Sequence, residues 1–239
     1  VNANGTFFTF TNTYVPPTIT LKAAKVWDGG DASNRPPVTF HLWRRISGGD
    51  WALARANTPG HTLDGVIDEG PDPQSGAEEY APWKMRREDI PLRDINGNLY
   101  EYKITETATV PGFEEPNYLT YQEAVNEGLI EAGQDDPVNF VVVNTYIIPT
   151  DGTATGTKIW VNGAAEHPEL WLQLWRKIDI DNPLVDVNEA VPGADVIKAE
   201  STGDTTHTWT GLETTDINGN VYTFYIKEGQ WDGTDFKEG

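Results

Sequence analysis

A strand motif that occurs twice constrains the fold of this chain more than any other feature. The first copy covers residues 94–106 (DINGNLYEYKITE) and the second covers residues 216–228 (DINGNVYTFYIKE), an offset of 122 throughout. Asn-Gly followed by alternating apolar residues is typical of a tight turn that leads into a β-strand. Side chains two residues apart share one face of a strand, so Glu106 and Glu228 each lie on an aromatic and apolar face. A carboxylate on such a face needs a partner or must be neutral.

Other short runs recur in the same order around this motif. Residues 19–27 and 153–160 read as opening strands, and residues 38–45 and 170–177 as second strands. Residues 140–146 read as a strand that closes the first unit. Short alternating runs with few helix signals are typical of β-sandwiches. The sequence therefore predicts an all-β protein of two tandem sandwiches joined by a short linker.

The order of the strands also predicts where the domains begin and end. Residues 8–14 end in the same Asn-Thr-Tyr as the closing strand, so we interpret residues 1–15 as the closing strand of a preceding unit. We expect residues 16–149 to form the first domain. Residues 150–239 would then form a second domain that lacks its last strand. No closing-strand motif follows its Asn-Gly turn.

Two long segments interrupt the first domain. Residues 57–89 and 114–137 are polar, rich in proline and glycine, and too long for hairpin loops. We interpret both as loop insertions. The one stretch with helical character, residues 121–132, lies within the second insertion.

Composition excludes several classes of function. A formal net charge of −20 argues against nucleic acid and anionic membrane surfaces as partners, because no basic stripe is present to neutralise phosphates. The absence of cysteine excludes disulfides, thiolate metal sites and cysteine nucleophiles. Neither a signal peptide at Val1 nor an apolar run of transmembrane length is evident, which suggests mature or excised material. We expect no cofactor and no metal.

Three polar residues fall among apolar neighbours on three different strands: Lys25, Glu106 and Asn144. Burial lowers the pKa of a lysine, so the lysine can act as a neutral amine nucleophile, and burial keeps a glutamate protonated. Attack of the amine on the asparagine carboxamide would release ammonia and leave a Lys–Asn isopeptide bond. The glutamate would act as acid and proton shuttle. Proximity can supply about 7–11 kcal/mol of such a barrier.

These motifs resemble the B-type repeat of Gram-positive collagen-binding adhesins and pilins, the CnaB domain. The resemblance is carried by Lys-Val-Trp-Asp at 25–28, Tyr-x-Tyr-x-Ile-x-Glu at 100–106 and Val-Val-Asn-Thr-Tyr at 142–146. It covers both repeats outside the insertions. It implies Ig-like or transthyretin-like sandwiches, each stabilised by a self-generated isopeptide crosslink.

Residue by residue, the resemblance implies a Lys25–Asn144 crosslink with Glu106 as its catalytic residue. In the second domain the resemblance implies only the reactive lysine, Lys158, and the catalytic glutamate, Glu228. The asparagine acceptor has no counterpart there.

The N-terminal segment could supply that acceptor. We expect residues 6–14 to be donated head-to-tail to the second domain of another molecule. Asn12 would then meet Lys158 and Glu228, and an intermolecular isopeptide bond could form.

The function that follows from the resemblance is structural. We expect a stalk or pilin fragment of an extracellular, cell-wall-anchored Gram-positive adhesin. Its partners would be neighbouring domains of the same protein, other pilin subunits or host matrix. Its chemistry is a single self-crosslinking turnover, so it is not an enzyme in the ordinary sense.

Two other functions stay open. A carbohydrate- or host-matrix-binding module would use the two insertions and exposed tryptophans. The tryptophans outside the repeated motifs are Trp51, Trp83, Trp209 and Trp231. A glycosidase would need two carboxylates facing one cleft, which no motif specifies.

Calcium is a further alternative at the turns that precede the repeated strands. Asp94, Asn96 and Asn98 carry the oxygen ligands that calcium prefers, but a tight turn explains the same residues.

Overall fold

The protein is mostly β-strand and divides into two compact units, which confirms the all-β expectation. The computed structural model describes residues 9–56, 61–70, 82–107, 109–133, 137–162, 167–178 and 187–239. The first unit comprises Val1–Asp28 and Pro36–Thr145, and the second comprises Gly29–Arg35 and Tyr146–Gly239. No helix among the described residues is long and apolar enough to cross a membrane.

Over its described residues, the first unit contains eight strands and one short helix. In chain order they are β1 (Thr18–Asp28), β2 (Val38–Ile46), β3 (Ala52–Leu53), β4 (Gly65–Ile67), β5 (Lys84–Pro91), β6 (Tyr100–Glu106), β7 (Asn117–Thr120), α1 (Tyr121–Asn126) and β8 (Phe140–Thr145). One sheet has the order β5-β1-β8-β7. In the other, β2 pairs with β3, β4 and β6.

The long strand β1 changes partner along its length. Its first part runs antiparallel to β5, and its second part, from Ala23 to Asp28, runs parallel to β8. In this ladder Lys25 lies opposite Val142, and Trp27 lies opposite Asn144. The opening and closing strands of the unit are therefore neighbours.

The two sheets of the first unit share a hydrophobic core. Its largest cluster of buried residues takes side chains from strands of both sheets: Ala23, Trp27, Val38, Phe40, Ile67, Met85, Ile104, Val110 and Val142. The residues that β1 and β2 contribute lie on one face of each strand, as the strand period requires.

The predicted insertion at residues 57–89 is not a loop throughout. It contains β4 and most of β5, and β5 pairs with β1. Met85 and Arg87 are buried on alternate positions, but the charged residues between and after them hid this pattern. Asp89 adopts a positive φ of 55° beside a register shift in the β1 ladder, which turns Ile90 into the core. Residues 57–60 and 71–81 lie outside the described residues.

The second predicted insertion, residues 114–137, also contributes to the sheet. It contains β7, which pairs with β8, followed by α1. The helix begins at Tyr121 as expected but ends at Asn126 rather than at residue 132. Gly128 adopts a φ of 73°, the left-handed conformation that terminates helices. Residues 134–136 lie outside the described residues.

The second unit repeats this strand pairing in part. It contains β9 (Gly152–Lys158), β10 (Trp171–Lys177), β11 (Asn188–Ala190), β12 (Ile197–Lys198), β13 (Thr205–Leu212), β14 (Thr223–Trp231), β15 (Phe236–Glu238) and a short 3-10 helix, Ala32–Asn34. β10 pairs with β11, β12 and β14, and β14 pairs with β15. Within the described part of this unit, β9 pairs with β13 alone.

The N-terminal segment forms no strand over its described residues. Residues 9–17 precede β1 without regular structure, and Phe10 is 89% exposed. The first residues of the predicted donor strand, 6–8, lie outside the described residues.

The repeated turn folds in the same way in both units. The backbone N–H of Gly97 donates to the carbonyl oxygen of Asp94, and Gly219 donates likewise to Asp216. Both glycines have positive φ, 87° and 80°. These turns need glycine because other L-residues are strained there. Each turn leads into the strand that carries the repeated glutamate, which is Glu106 at the end of β6 and Glu228 within β14.

Candidate functional site

The structure brings Lys25, Glu106 and Asn144 together in the first unit, and we call these three residues the triad. Lys25 Nζ lies 3.4 Å from Glu106 Oε2. Asn144 Nδ2 donates a hydrogen bond of 3.1 Å to Glu106 Oε1. Glu106 therefore bridges the amine of one strand and the carboxamide of another.

The positions of the triad follow from strand period and register. On β1, Ala23, Lys25 and Trp27 alternate toward the core, and all three are buried. On β8, Asn144 follows Val142 on the core face, and both are completely buried. Glu106 ends β6 in the other sheet and enters the same interior two residues after Ile104.

The triad is almost completely withdrawn from solvent. The Lys25 and Glu106 side chains are 0% and 1% exposed. Lys25 Nζ, Glu106 Oε2 and Asn144 Oδ1 are buried without a hydrogen-bond partner. A buried polar atom left without such a partner costs about 1–3 kcal/mol. The triad therefore holds three polar groups at close range with one ion pair and one hydrogen bond between them, and it leaves Asn144 Oδ1 without a donor.

An aromatic cluster lies beside the lysine, which contacts one of its rings. Lys25 Nζ lies 4.3 Å from the centre of the Trp27 ring. Trp83 and Phe113 approach Trp27 edge-on, with ring centres 5.4 Å and 4.9 Å away. These rings exclude water, and electrostatic interactions are stronger in the resulting low-dielectric site.

Burial changes the protonation of the lysine. Desolvation lowers the pKa of Lys25 from 10.5 to about 8, although the neighbouring Glu106 carboxylate favours the charged form. A substantial fraction of Lys25 is therefore a neutral amine near pH 8. The lone pair of a neutral amine can attack a carbonyl carbon.

Tyr118 belongs to this site and was missed from the sequence. It lies on β7, and its hydroxyl accepts a hydrogen bond of 3.0 Å from the Glu106 backbone N–H. Its partial burial raises the pKa of the phenol. The residue falls in the range interpreted as an insertion, so no strand was expected there. The structure contains a capping box formed by Thr120 and Glu123. This Thr-x-x-Glu pattern in the sequence indicates the start of a helix, and so the end of the strand before it.

The second unit assembles only part of an equivalent site. Lys158 Nζ lies 3.1 Å from both carboxylate oxygens of Glu228. The two side chains are 18% and 49% exposed, in contrast to the buried first pair. Lys158 also lies over the Trp160 ring, at 4.5 Å from its centre. No strand equivalent to β8 covers this pair among the described residues.

Asn12, the expected acceptor for Lys158, is exposed and lies in no strand.

The tryptophans outside the repeat have structural contacts. Trp83, the one in the range 57–89, packs against Trp27. Trp209 is buried and its indole N–H donates to the Asp195 carbonyl oxygen. Trp51 is covered by the side chains of Arg45 and Lys103. The described part of residues 57–89 and 114–137 thus presents no pair of exposed, coplanar tryptophans.

The Asp94 carboxylate, considered as a calcium ligand, is engaged within its own turn. It accepts hydrogen bonds from the backbone N–H groups of Asn96 and Asn98 and from the Asn98 amide. These bonds hold the pKa of Asp94 below its usual range. Among the described residues, no group of three or more histidine, aspartate or glutamate side chains is placed to hold a metal ion.

Neither a protein-family model nor a curated protein matches this sequence.

The lowered pKa of Lys25 predicts how stability depends on pH when no crosslink is present. We expect the Asn144→Ala variant to become more stable as the pH rises from about 8 to 10.5. In this range the unfolded chain still binds the Lys25 proton and the folded chain has lost it, so a higher pH favours folding. The pKa difference, 10.5 − 8 or about 2.5, corresponds to about 3 kcal/mol.

Denaturant unfolding measured across this pH range tests the expectation. The double variant Lys25→Met/Asn144→Ala is the control, because it lacks the Lys25 proton but keeps every other lysine and every tyrosine that titrates in this pH range. A rise of equal size in both proteins would contradict the assignment to Lys25.

Proposed function

We propose that this chain is a structural stalk or pilin fragment of a Gram-positive cell-surface adhesin. We further propose that it consists of tandem CnaB-like domains, and that an autocatalytic Lys25–Asn144 isopeptide bond stabilises the first. The proposal places the protein outside the cell, attached to the cell wall. Its self-crosslinking is a single turnover, so the chain is not an enzyme in the ordinary sense.

One observation carries the proposal: the triad is buried, contiguous and drawn from three strands. Structural ion pairs buried this deeply are rare, because desolvation costs several kcal/mol per ion. Here the carboxylate also contacts a buried carboxamide, and the oxygen of that carboxamide has no donor. Formation of an amide between Lys25 and Asn144 would remove the buried lysine charge and with it the cost of its desolvation.

The reaction begins with proton transfer. Lys25 gives one proton to Glu106, whose Oε2 lies 3.4 Å from Nζ, and becomes a neutral amine. A half-turn of the Asn144 amide exchanges its oxygen and nitrogen. The protonated Glu106 then donates to Oδ1 and polarises the carbonyl group.

Bond formation follows at the amide carbon. The Nζ lone pair attacks Asn144 Cγ, and the Cγ–Nδ2 bond breaks as the tetrahedral intermediate collapses. Glu106 carries the proton released by Nζ to the departing Nδ2, which leaves as ammonia. One C–N bond forms and one breaks, so no oxidant or other reactant is required. Because the strands hold the groups in place, proximity supplies about 7–11 kcal/mol of the barrier.

Glu106 also lines a cleft together with Pro37, Thr39 and Val110, and we propose that the ammonia leaves through this cleft.

The intact mass of the purified chain tests the proposal. We expect the mass to be lower than the sequence mass by one ammonia for the Lys25–Asn144 bond. Proteolysis should yield a branched peptide that joins the segments containing these two residues. The Asn144→Ala variant is the matched control and should have its full sequence mass. An unmodified wild-type mass would overturn the proposed crosslink.

A carbohydrate- or matrix-binding module remains the second candidate for the whole protein. The observation in its favour is the half-buried Trp51, which lies beside Arg45 and Lys103 on the outer face of β2 and β6. Binding to a glycan array that is lost in Trp51→Ala, with the crosslink intact, would support this additional role.

A further inference from the structure

We propose that Thr107 is a nucleophile that takes an acyl group from an activated carboxylic ester. In this site His41 is the base that accepts the hydroxyl proton, and Asp64 positions His41. The three side chains lie on the outward face of the sheet formed around β2, opposite to the triad. Their reaction does not require the Lys25–Asn144 bond.

The register of two strand ladders places these residues side by side. In the β2–β6 ladder β6 ends opposite Phe40, and Thr107 follows that end. In the β2–β4 ladder Gly65 lies opposite the same phenylalanine, and Asp64 precedes it. Phe40 is buried in the core, so its neighbour His41 faces outward between the other two strands.

The three side chains approach one another in the order hydroxyl, imidazole and carboxylate. His41 Nε2 lies 3.1 Å from Thr107 Oγ1. On the other side of the ring, His41 Nδ1 lies 3.0 Å from Asp64 Oδ2. This second pair is not aligned as a hydrogen bond, and catalytic contacts of this kind tighten when a substrate binds. The same order of groups activates the nucleophile in known acyl-transfer sites.

The hydroxyl proton of Thr107 has two acceptors within reach. Oγ1 lies 2.9 Å from the Thr39 carbonyl oxygen as well as near His41. That carbonyl oxygen already accepts the Thr107 backbone N–H, so rotation of the hydroxyl toward Nε2 leaves it with a donor. When His41 is neutral and carries its proton on Nδ1, beside Asp64, Nε2 is the acceptor.

The site is sheltered but remains open to a reactant. The side chains of His41 and Asp64 are 27% and 22% exposed, and Thr107 is exposed. Oδ1 of Asp64 is buried, and no hydrogen bond from a described residue reaches it. No such bond therefore draws the carboxylate away from the imidazole, while the hydroxyl stays accessible.

The cleft beside Thr107 indicates which acyl donor fits. Thr107 and Thr39 line this cleft, whose volume is about 220 Å³. Most of its other lining residues are apolar: Pro36, Pro37, Val38, Val110 and Pro111. An apolar cleft of this size suits a short acyl chain. The net charge of −20 disfavours anionic donors such as phosphate esters, so we assign an uncharged carboxylic ester.

The reaction transfers one acyl group and one proton. Thr107 Oγ1 attacks the carbonyl carbon of the ester while His41 Nε2 takes the hydroxyl proton. As the tetrahedral intermediate collapses, the bond from the carbonyl carbon to the leaving oxygen breaks, and His41 gives the proton to that oxygen. One C–O bond forms and one breaks. The products are an acylated Thr107 and a free alcohol, and no other reactant is required.

Treatment of the full chain with p-nitrophenyl butyrate tests the proposal. We expect a burst of one p-nitrophenol per chain and a gain in intact mass of one butyryl group. Peptide mapping should locate that group on Thr107. Thr107→Val keeps the shape of the side chain without its hydroxyl, and it should lose both the burst and the modified peptide. A burst of unchanged size in Thr107→Val, or butyryl groups found only on lysines, would overturn the proposal.

The base is tested by a matched pair of histidine variants. We expect His41→Gln to slow acylation of Thr107 by about 10²–10⁴-fold, the usual contribution of a general base. His61→Gln removes an exposed imidazole elsewhere on the first unit and should leave the rate unchanged. Equal rates in the two variants would remove His41 from the site. Denaturant unfolding of each variant shows that the fold is retained.

The role of Asp64 is tested by separating rate from binding. If Asp64 positions His41, Asp64→Asn lowers the maximal acylation rate but not the ester concentration that gives half of it. Asp64→Glu, which keeps the carboxylate, should recover part of the rate. An unchanged rate in Asp64→Asn would overturn this role. The Asn144→Ala variant should react as the wild type does, because the site does not require the crosslink.

Discussion

The Asn144→Ala variant is expected to lose about 5 kcal/mol of the free energy of unfolding of the first unit, because it cannot form the crosslink. The bond joins positions 119 residues apart (144 − 25) and so closes nearly the whole unit into one covalent loop. In the chain-entropy model a loop of that size restricts the unfolded chain by about 5 kcal/mol. Alanine at this position also leaves the Lys25–Glu106 contact in place, so no buried charge loses its partner.

Denaturant unfolding, followed by a probe in the first unit, measures this loss. A double-mutant cycle separates the crosslink from the packing of the side chain. In the Glu106→Gln background, measured on freshly made protein whose intact mass shows no ammonia loss, the same Asn144→Ala change should cost only the lost packing. Equal costs in both backgrounds would show that the crosslink contributes nothing.

The Glu106→Gln variant is expected to form the Lys25–Asn144 bond about 10²–10⁴-fold more slowly than the wild type, the usual contribution of general acid–base catalysis. Glutamine preserves the size of the side chain and its contact with the asparagine amide. It cannot accept a proton from Nζ and deliver it to the leaving nitrogen.

Intact mass followed over time, in protein made by cell-free synthesis, gives the two rates. The Glu228→Gln variant is the matched control, because it makes the same change in the other unit and should leave the rate in the first unit unaltered. Ammonia loss at the wild-type rate in Glu106→Gln would remove Glu106 from the mechanism.

Strand period explains why much of the fold was readable from the sequence. The predicted strand 38–45 corresponds to β2. Glu106 is buried on the same face of β6 as Ile104, as expected for side chains two residues apart in a strand. Of the strands that were missed, β5 and β7 lack this pattern. In β5 the buried positions include a charged residue, Arg87, and a bulge at Asp89 breaks the alternation. In β7 only four residues are paired.

The proximity of the triad depends on pairing that no local pattern encodes. The alternation of side chains along each strand shows that Lys25 and Asn144 each lie on the apolar face of their own strand. It does not show that β1 and β8 are parallel neighbours. That arrangement joins segments 117 residues apart (140 − 23) and depends on the whole unit.

The two lysine–glutamate pairs show how context changes one motif. Lys25 and Lys158 are both followed two residues later by tryptophan, so local sequence does not distinguish them. Their exposure differs because β7 and β8 cover the first pair, and no described strand covers the second.

The parallel pairing of β1 and β8 has a mechanical consequence. A pull on the start of β1 and the end of β8 acts along the ladder, so its hydrogen bonds share the load instead of opening one after another. The pairing runs from Ala23 to Asp28 and includes Lys25. With the crosslink formed, tension would pass from β1 to β8 through one covalent bond. The residues between 25 and 144 would carry no force, and the unit would not lengthen when stretched.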